Sequence, residues 1–264
     1  MTNINLNGSE ISFEQDGKLQ FNEAEHIYSI PGIGTFKSVS HVVSMFFREF
    51  DALGISLKKC NYNEVEAAKL REAWESKGCV ASQAGTFLHK QIEDYLNGKE
   101  IPELLCDVSY QGEYVKMNER VDISREWSYF KAFERNTRFT PFRTEWRVYD
   151  ADTLMAGTLD FVCECPDGTY EIYDWKRSNK IDPAERNPWA NGFNGLEHLT
   201  DTSYSHYCLQ QNLYRYMLQK NYGIKVSRMN LVVLHPDLPA YRVVPIPPME
   251  REVDIIIKKL KAQL

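Results

Sequence analysis

Apolar residues recur along this chain in two rhythms. Around 142–176 they alternate or run together, as strands require. Around 79–96 and 203–222 they return every third or fourth position, the spacing of one helix face. The N-terminal part predicts short strands at 11–13, 19–21 and 26–30, a turn at Pro31-Gly32-Ile33-Gly34, and a short helix over 39–47 with Ser38 as its N-cap. A mixed connector fills 48–60, and a helix rich in Glu, Ala, Lys and Arg covers 63–76, ending before Gly78. The next helix, 79–96, carries Val80, Ala84, Phe87, Leu88, Ile92, Tyr95 and Leu96 and stops at Asn97-Gly98. Residues 100–121 are polar and read as a connector or small cap. Asp122 caps a helix to 136 bearing Trp127, Phe130 and Phe133. Strands follow at 142–149 and 154–163. Beyond a long polar stretch at 177–202 come a helix over 203–222 that ends at Gly223, a buried strand at 231–234, an edge strand at 241–244 and a closing helix at 250–264. Residues 1–78 are expected to pack as strands and helices on a core formed by 79–264, as one compact domain overall.

The rest is organised around residues 157–176. Leu159 to Cys163 and Tyr170 to Trp175 are strands joined at Pro166-Asp167-Gly168, where proline fixes its own φ and glycine is free to take φ > 0. Side chains alternate across a strand, so Asp174 and Lys176 share a face and Trp175 takes the other. Closing the hairpin at that turn brings Asp160 level with the far end of the second strand. Two carboxylates and an ammonium then share a small volume, and a divalent cation is the natural occupant between the carboxylates. Alone, Asp-x-Lys favours an ordinary surface hairpin with a salt bridge.

Other positions change that balance. On the 79–96 helix, His89 and Glu93 lie one turn apart on or beside the buried face, near Gly85, which permits close backbone approach. In isolation such a pair reads more readily as structural. On the 203–222 helix, Gln210 and Tyr214 are one turn apart on the inward side, and a buried glutamine needs partners. It bonds a nearby loop, or it orients a nucleotide or the acidic cluster. Glu145 joins that cluster or pairs with Arg147 or a nearby lysine; the second, or a supporting role, is favoured. The 177–202 stretch mixes Lys180, Arg186, Trp189, Phe193 and His198. It reads equally as a surface loop or as a grip on a single strand by stacking and charge.

The 264 residues are 43% hydrophobic, enough for a large core, and the formal net charge of −6 does not advertise a polyanionic partner. Such a partner must be met by a local basic patch or through bound cations. Six scattered cysteines, no signal-peptide pattern and no apolar run of membrane-spanning length predict a soluble intracellular protein in a reducing compartment, with no membrane partner. Cys163-x-Cys165 has no matching second pair, so zinc is not expected.

Taken in order, Gly85-Thr86-x-x-His89, Gly157-Thr158-Leu159-Asp160, Asp174-Trp175-Lys176 and Gln210-x-x-x-Tyr214 resemble the PD-(D/E)XK nuclease superfamily in its RecB-type branch. The resemblance covers about 79–234. The stretch around Ser38-Val39-Ser40 and Phe46 to Asp51 looks like the N-terminal part of phage and mitochondrial-genome-maintenance-like exonucleases. It implies an α/β (α+β) restriction-endonuclease-like core, a central mixed sheet flanked by helices, with an N-terminal helical extension.

Carried over residue by residue, the resemblance makes Asp160 and Asp174 metal ligands. His89 and the backbone carbonyl of Trp175 complete the set. Lys176 holds the attacking water and the charge developing on phosphorus, while Glu93, Gln210, Tyr214 and, in one reading, Glu145 support the site or the substrate strand. Mg²⁺ suits such oxygen ligands, and a histidine makes Mn²⁺ a good substitute. Some relatives hold an iron–sulfur cluster with cysteines near the C-terminus; the last cysteine here is Cys208, so no iron–sulfur cluster is predicted. The implied activity is a metal-dependent DNA nuclease, with an exonuclease on single-stranded or open ends favoured. An endonuclease specific for a sequence or structure, and a non-catalytic nucleic-acid-binding module, are the alternatives. Recombination, repair and phage replication all suit such an activity.

Overall fold

The computed structural model describes residues 5–23, 25–100 and 103–264. In chain order the elements are β1 (Gln20–Asn22), β2 (Ile27–Ile30), β3 (Gly34–Ser38), α1 (Val39–Ser44), α2 (Ala52–Lys59), α3 (Glu64–Leu96), β4 (Leu105–Gln111), β5 (Lys116–Asp122), α4 (Ser124–Thr137), β6 (Thr140–Asp150), β7 (Met155–Glu164), β8 (Tyr170–Lys176), α5 (Ser203–Asn221), β9 (Val226–Val233), β10 (Arg242–Pro245) and α6 (Glu250–Lys261). They divide into two compact units. One comprises the chain up to Arg48 with Thr137–Val233 and Arg242–Leu264; the other comprises Glu49–Asn136 and Leu234–Tyr241.

The first unit is built on a mixed sheet in the order β1-β2-β3-β7-β8-β9-β10, with β6 paired to β7. The β3–β7 and β8–β9 pairs are parallel and the others antiparallel. β7 and β8 are central because both their faces are apolar: Phe161, Val162, Ile172 and Trp175 are buried. The turn between them forms as its residues dictate. Gly168 sits at φ +76° and donates its N–H to Cys165 O at 3.0 Å, while Asp167 Oδ1 accepts from the Thr169 N–H at 3.0 Å. Phe161 stacks on Trp175 with centroids 5.7 Å apart, and Trp146 of β6 is fully buried. Truncating side chains of this size costs about 3–5 kcal/mol each. α5, capped by Thr202 Oγ1 accepting from the Ser205 N–H at 3.2 Å, packs on β6 and β9; α1 packs on β3 and β7.

Residues 11–13, expected as a strand, are irregular. They belong to a segment tied down by buried Arg143 of β6, whose Nη1 and Nη2 donate to Asp16 at 2.7 and 2.9 Å and whose Nε donates to Asn5 Oδ1 at 2.7 Å.

The second unit departs further from the expected elements. α3 is a single 33-residue helix running through Gly78, where two helices were expected. A glycine costs a helix about 1 kcal/mol, which the flanking good helix formers absorb. The 48–60 connector contains α2, N-capped by Asp51 through the Gly54 N–H at 2.8 Å. The polar 100–121 stretch contains the β4–β5 hairpin. Glu72 of α3 holds its tip, accepting from the Tyr114 and Val115 N–H groups at 2.9 Å. Among the described residues, no helix is long and apolar enough to cross a membrane.

Candidate functional site

The site forms where the sheet of the first unit forks. β6 lines one edge of β7 along its length. On the other edge β3 pairs only with Met155 and Ala156, and β8 only from Phe161 onward. Residues 157–160 lie in the gap. β8 leaves β7 after Tyr173 but stays on β9, with Asp174 opposite Leu231 and Lys176 opposite Val233. Asp160 bridges the divergence: its Oδ2 accepts the Trp175 N–H at 2.8 Å, replacing the lost ladder bond.

Asp174 is 3% exposed, with Oδ2 ion-paired to Lys176 Nζ and Oδ1 accepting from Gln211 Nε2 at 2.9 Å. The Lys176 ammonium also lies 4.6 Å from the centroid of the Tyr207 ring, a cation–π contact from α5. Burial alone would lower the pKa of Lys176, but Asp174 and then Asp160 outweigh it and hold the ammonium above its ordinary range. It is therefore a cation at neutral pH, a donor and not a base.

Glu145 enters from β6. Its neighbours Thr144 and Trp146 pair with Phe161 and Leu159, and Glu145 between them takes φ +46°, a left-handed conformation rare for a residue with a Cβ. Thr144 Oγ1 donates to the Asp160 carbonyl at 2.8 Å, and Glu145 and Asp160 bring carboxylate oxygens within 4.8 Å of each other. Two carboxylates this close repel unless a cation or proton joins them.

α5 covers the fork. The Tyr214 ring lies on Gly157, where an added Cβ would stand 2.7 Å from Cε1 and 2.8 Å from Oη, so the strand needs glycine there. Burial, then Tyr28, Asp174 and Asp160, push the Tyr214 hydroxyl well above its ordinary pKa and keep it protonated. Gln210 Nε2 meets that hydroxyl at 3.5 Å, the limit of a hydrogen bond. Tyr28 Oη shares a 2.9 Å hydrogen bond with Thr158 Oγ1.

Of the residues singled out in the sequence, Glu145, Asp160, Asp174, Trp175, Lys176, Gln210 and Tyr214 all belong to this unit. His89 and Glu93 stand on α3 of the second unit, where Glu93 accepts from Lys90 at 2.9 Å. Gln211 was not anticipated. It is 1% exposed, it is the glutamine that bonds Asp174, and its Oε1 finds no hydrogen-bond partner among the described residues. Its signal was the three-residue step from Cys208, a buried position on the same helix.

The donor set fits a hard divalent cation. In this unit it is formed by the carboxylates of Glu145 and Asp160, with Asp174, held by Gln211, on the adjoining strand.

The sequence model of the PD-(D/E)XK nuclease superfamily matches residues 61–263. No curated protein matches the chain. Among solved structures, that of SSO0001 aligns with 86% of this chain and 74% of its own at 11% identity and a TM-score of 0.33. The chain belongs to the PD-(D/E)XK nuclease superfamily. Its mixed sheet flanked by helices is the restriction-endonuclease-like architecture, and its substrate class is nucleic acid.

Proposed function

We propose that this superfamily member hydrolyses DNA phosphodiester bonds with Mg²⁺ or Mn²⁺, as an exonuclease acting on single-stranded or open ends. The observation that carries the reading is the fork itself. It gathers Asp160, Asp174 and Lys176 where β8 parts from β7, and β6 brings Glu145 beside Asp160. Asp160 and Asp174 would hold the cation, with Glu145 beside Asp160. The motif resemblance adds His89 and the Trp175 carbonyl to the ligand set. A bound dication supplies a nucleophile near neutral pH and a clamp on the phosphoryl charge.

The chain's own residues do the rest. Lys176, held cationic, donates to the attacking water and to the phosphoryl oxygen on which charge grows. Gln211 fixes the rotamer of Asp174, and the Trp175 N–H fixes that of Asp160. Tyr214 closes the back of the fork and excludes water. The basic and aromatic side chains at 177–202 favour a single strand as substrate.

Lys176→Ala or Asp160→Asn, assayed with Mg²⁺ on labelled DNA, is expected to lose at least about 100-fold in rate, the scale of losing one transition-state donor. Undiminished cleavage by either variant refutes the assignment. Parallel 5′- and 3′-labelled linear single strands, with and without EDTA, give polarity and metal dependence. An intact circular single strand separates an end-requiring exonuclease from an endonuclease. Titration with Mn²⁺ in a calorimeter tests the cation site without hydrolysis, and no heat of binding would favour a non-catalytic module.

A further inference from the structure

The loop between β8 and α5 is long but built. Asn191 bridges to Thr200, the Gly192 N–H donates to Leu199 O at 2.9 Å, and the Asp201 N–H donates to Ala190 O at 2.9 Å. The Phe193 N–H reaches Phe46 O at 2.9 Å, Leu196 is fully buried, and His198 Nε2 meets Glu252 Oε1 at 2.7 Å. On this fixed frame Trp189 is 92% exposed, the most exposed large apolar side chain among the described residues. An Asx turn from Asn187 Oδ1 to the Trp189 N–H at 3.0 Å sets its backbone.

An ordered loop that holds an indole in water forgoes the large burial an aromatic offers. Beside it is a cleft of about 310 Å³, lined by Arg48, Trp189, Gly192, Phe193 and Glu197, at the small end of ligand sites. Gly192 lets the loop pack tightly on itself, since a Cβ there would strike Leu196 O at 2.7 Å.

We propose that this cleft is a nucleobase-stacking subsite, in which Trp189 is the platform for one unpaired base and Arg48 meets the adjoining phosphate. The ligand class rests on the nuclease reading above. Every base has a π face, so an isolated indole accepts any of them, whereas a protein partner would need a contiguous apolar patch. Glu197, whose carboxylate accepts the Gly195 N–H at 3.0 Å, keeps phosphate out of its part of the cleft and leaves that role to Arg48. The subsite also lies on a path to the fork. Ala190 is bonded to Asp201, just ahead of α5, and Tyr207, one turn into that helix and about 6 Å along it from Ser203, lies against Lys176. A short run of strand spans both.

The test is binding, measured in EDTA by anisotropy of a labelled oligothymidylate with wild type, Trp189→Ala, Trp189→Phe and Arg48→Gln. One stacked base is worth about 1–3 kcal/mol, so Trp189→Ala is expected to weaken binding roughly 5- to 150-fold, with Trp189→Phe keeping most of the affinity. An abasic strand of equal length should bind wild type as weakly as Trp189→Ala. Arg48→Gln should flatten the salt dependence of binding. Equal affinity of Trp189→Ala and wild type overturns the subsite, even if wild type then cleaves the same strand with Mn²⁺. Conversely, weakened binding with no cleavage by wild type keeps the subsite and removes the nuclease reading. Trp189 is exposed enough that its loss leaves folding untouched.

Discussion

Gly157→Ala probes the contact that joins the central strand to the helix above it. The added Cβ would lie 2.7 Å from Cε1 and 2.8 Å from Oη of Tyr214, where carbon atoms prefer about 3.5–4.0 Å. Close to 1 Å must be found. The ring is 4% exposed and has no solvent to swing into, and Gly157 stays in register with Val148. Overpacking of this kind costs about 1–3 kcal/mol. At roughly 2–4 °C per kcal/mol for a chain of this size, Tm falls by about 2–12 °C. Tyr214→Leu removes the far end of the ring, so the double variant should recover part of the loss. The coupling energy in the cycle is then at least about 0.5 kcal/mol. Urea and thermal unfolding of the four proteins, followed by fluorescence, supply the numbers. A Gly157→Ala protein within about 0.5 kcal/mol of wild type, or strict additivity in the cycle, would refute the reasoning.

Three further outcomes are expected. Gln211→Leu keeps the side-chain volume but removes the hydrogen bond to Asp174, so Mn²⁺ affinity by calorimetry should drop about 10- to 100-fold. Asp16→Ala strands buried Arg143 without its carboxylate and should cost about 3–5 kcal/mol in urea unfolding. Burial pushes the Cys208 thiol up to about 11, so the folded chain keeps a proton that the unfolded chain releases above its ordinary thiol pKa. Stability from this group is intact at pH 8 and declines as pH rises toward 11. Cys208→Ala should flatten the fall in Tm across that window, and iodoacetamide at pH 8 should spare Cys208 in the folded protein.

The hairpin was legible because its signals are local. Two apolar runs and a Pro-Asp-Gly turn fix the pairing of Phe161 with Tyr173, and register then carries Asp160 to the level of Asp174. The fork was not legible. It depends on Lys37 and Ser38 pairing with Met155 and Ala156, a parallel contact between segments far apart in the chain, and no local pattern encodes that. Gly157 and Tyr214 were visible as separate motif members, but not as one contact. Gln210 was singled out for its helical face, while its neighbour Gln211 makes the bond to Asp174, because the buried face of α5 is wider than one apolar stripe. The sequence predicts a break in α3 at Gly78 because glycine is a stop signal at a helix end, but inside a helix it is only a weak penalty. β5 was missed because its residues are mostly exposed and polar, so the period of two carries little hydrophobic contrast.

Glu145 has a consequence for the history of such a chain. Its left-handed backbone at φ +46° is a conformation in which glycine is at ease and glutamate is not, a handicap of order 1 kcal/mol or more. Its carboxylate comes within 4.8 Å of that of Asp160, and a cation between them would relieve their repulsion. Selection for heat tolerance alone would therefore drift this position toward glycine, and selection for cation capture would hold it acidic. On the cation role proposed above for Glu145, variants evolved only to survive heating should change here early and lose Mn²⁺ binding as they gain stability.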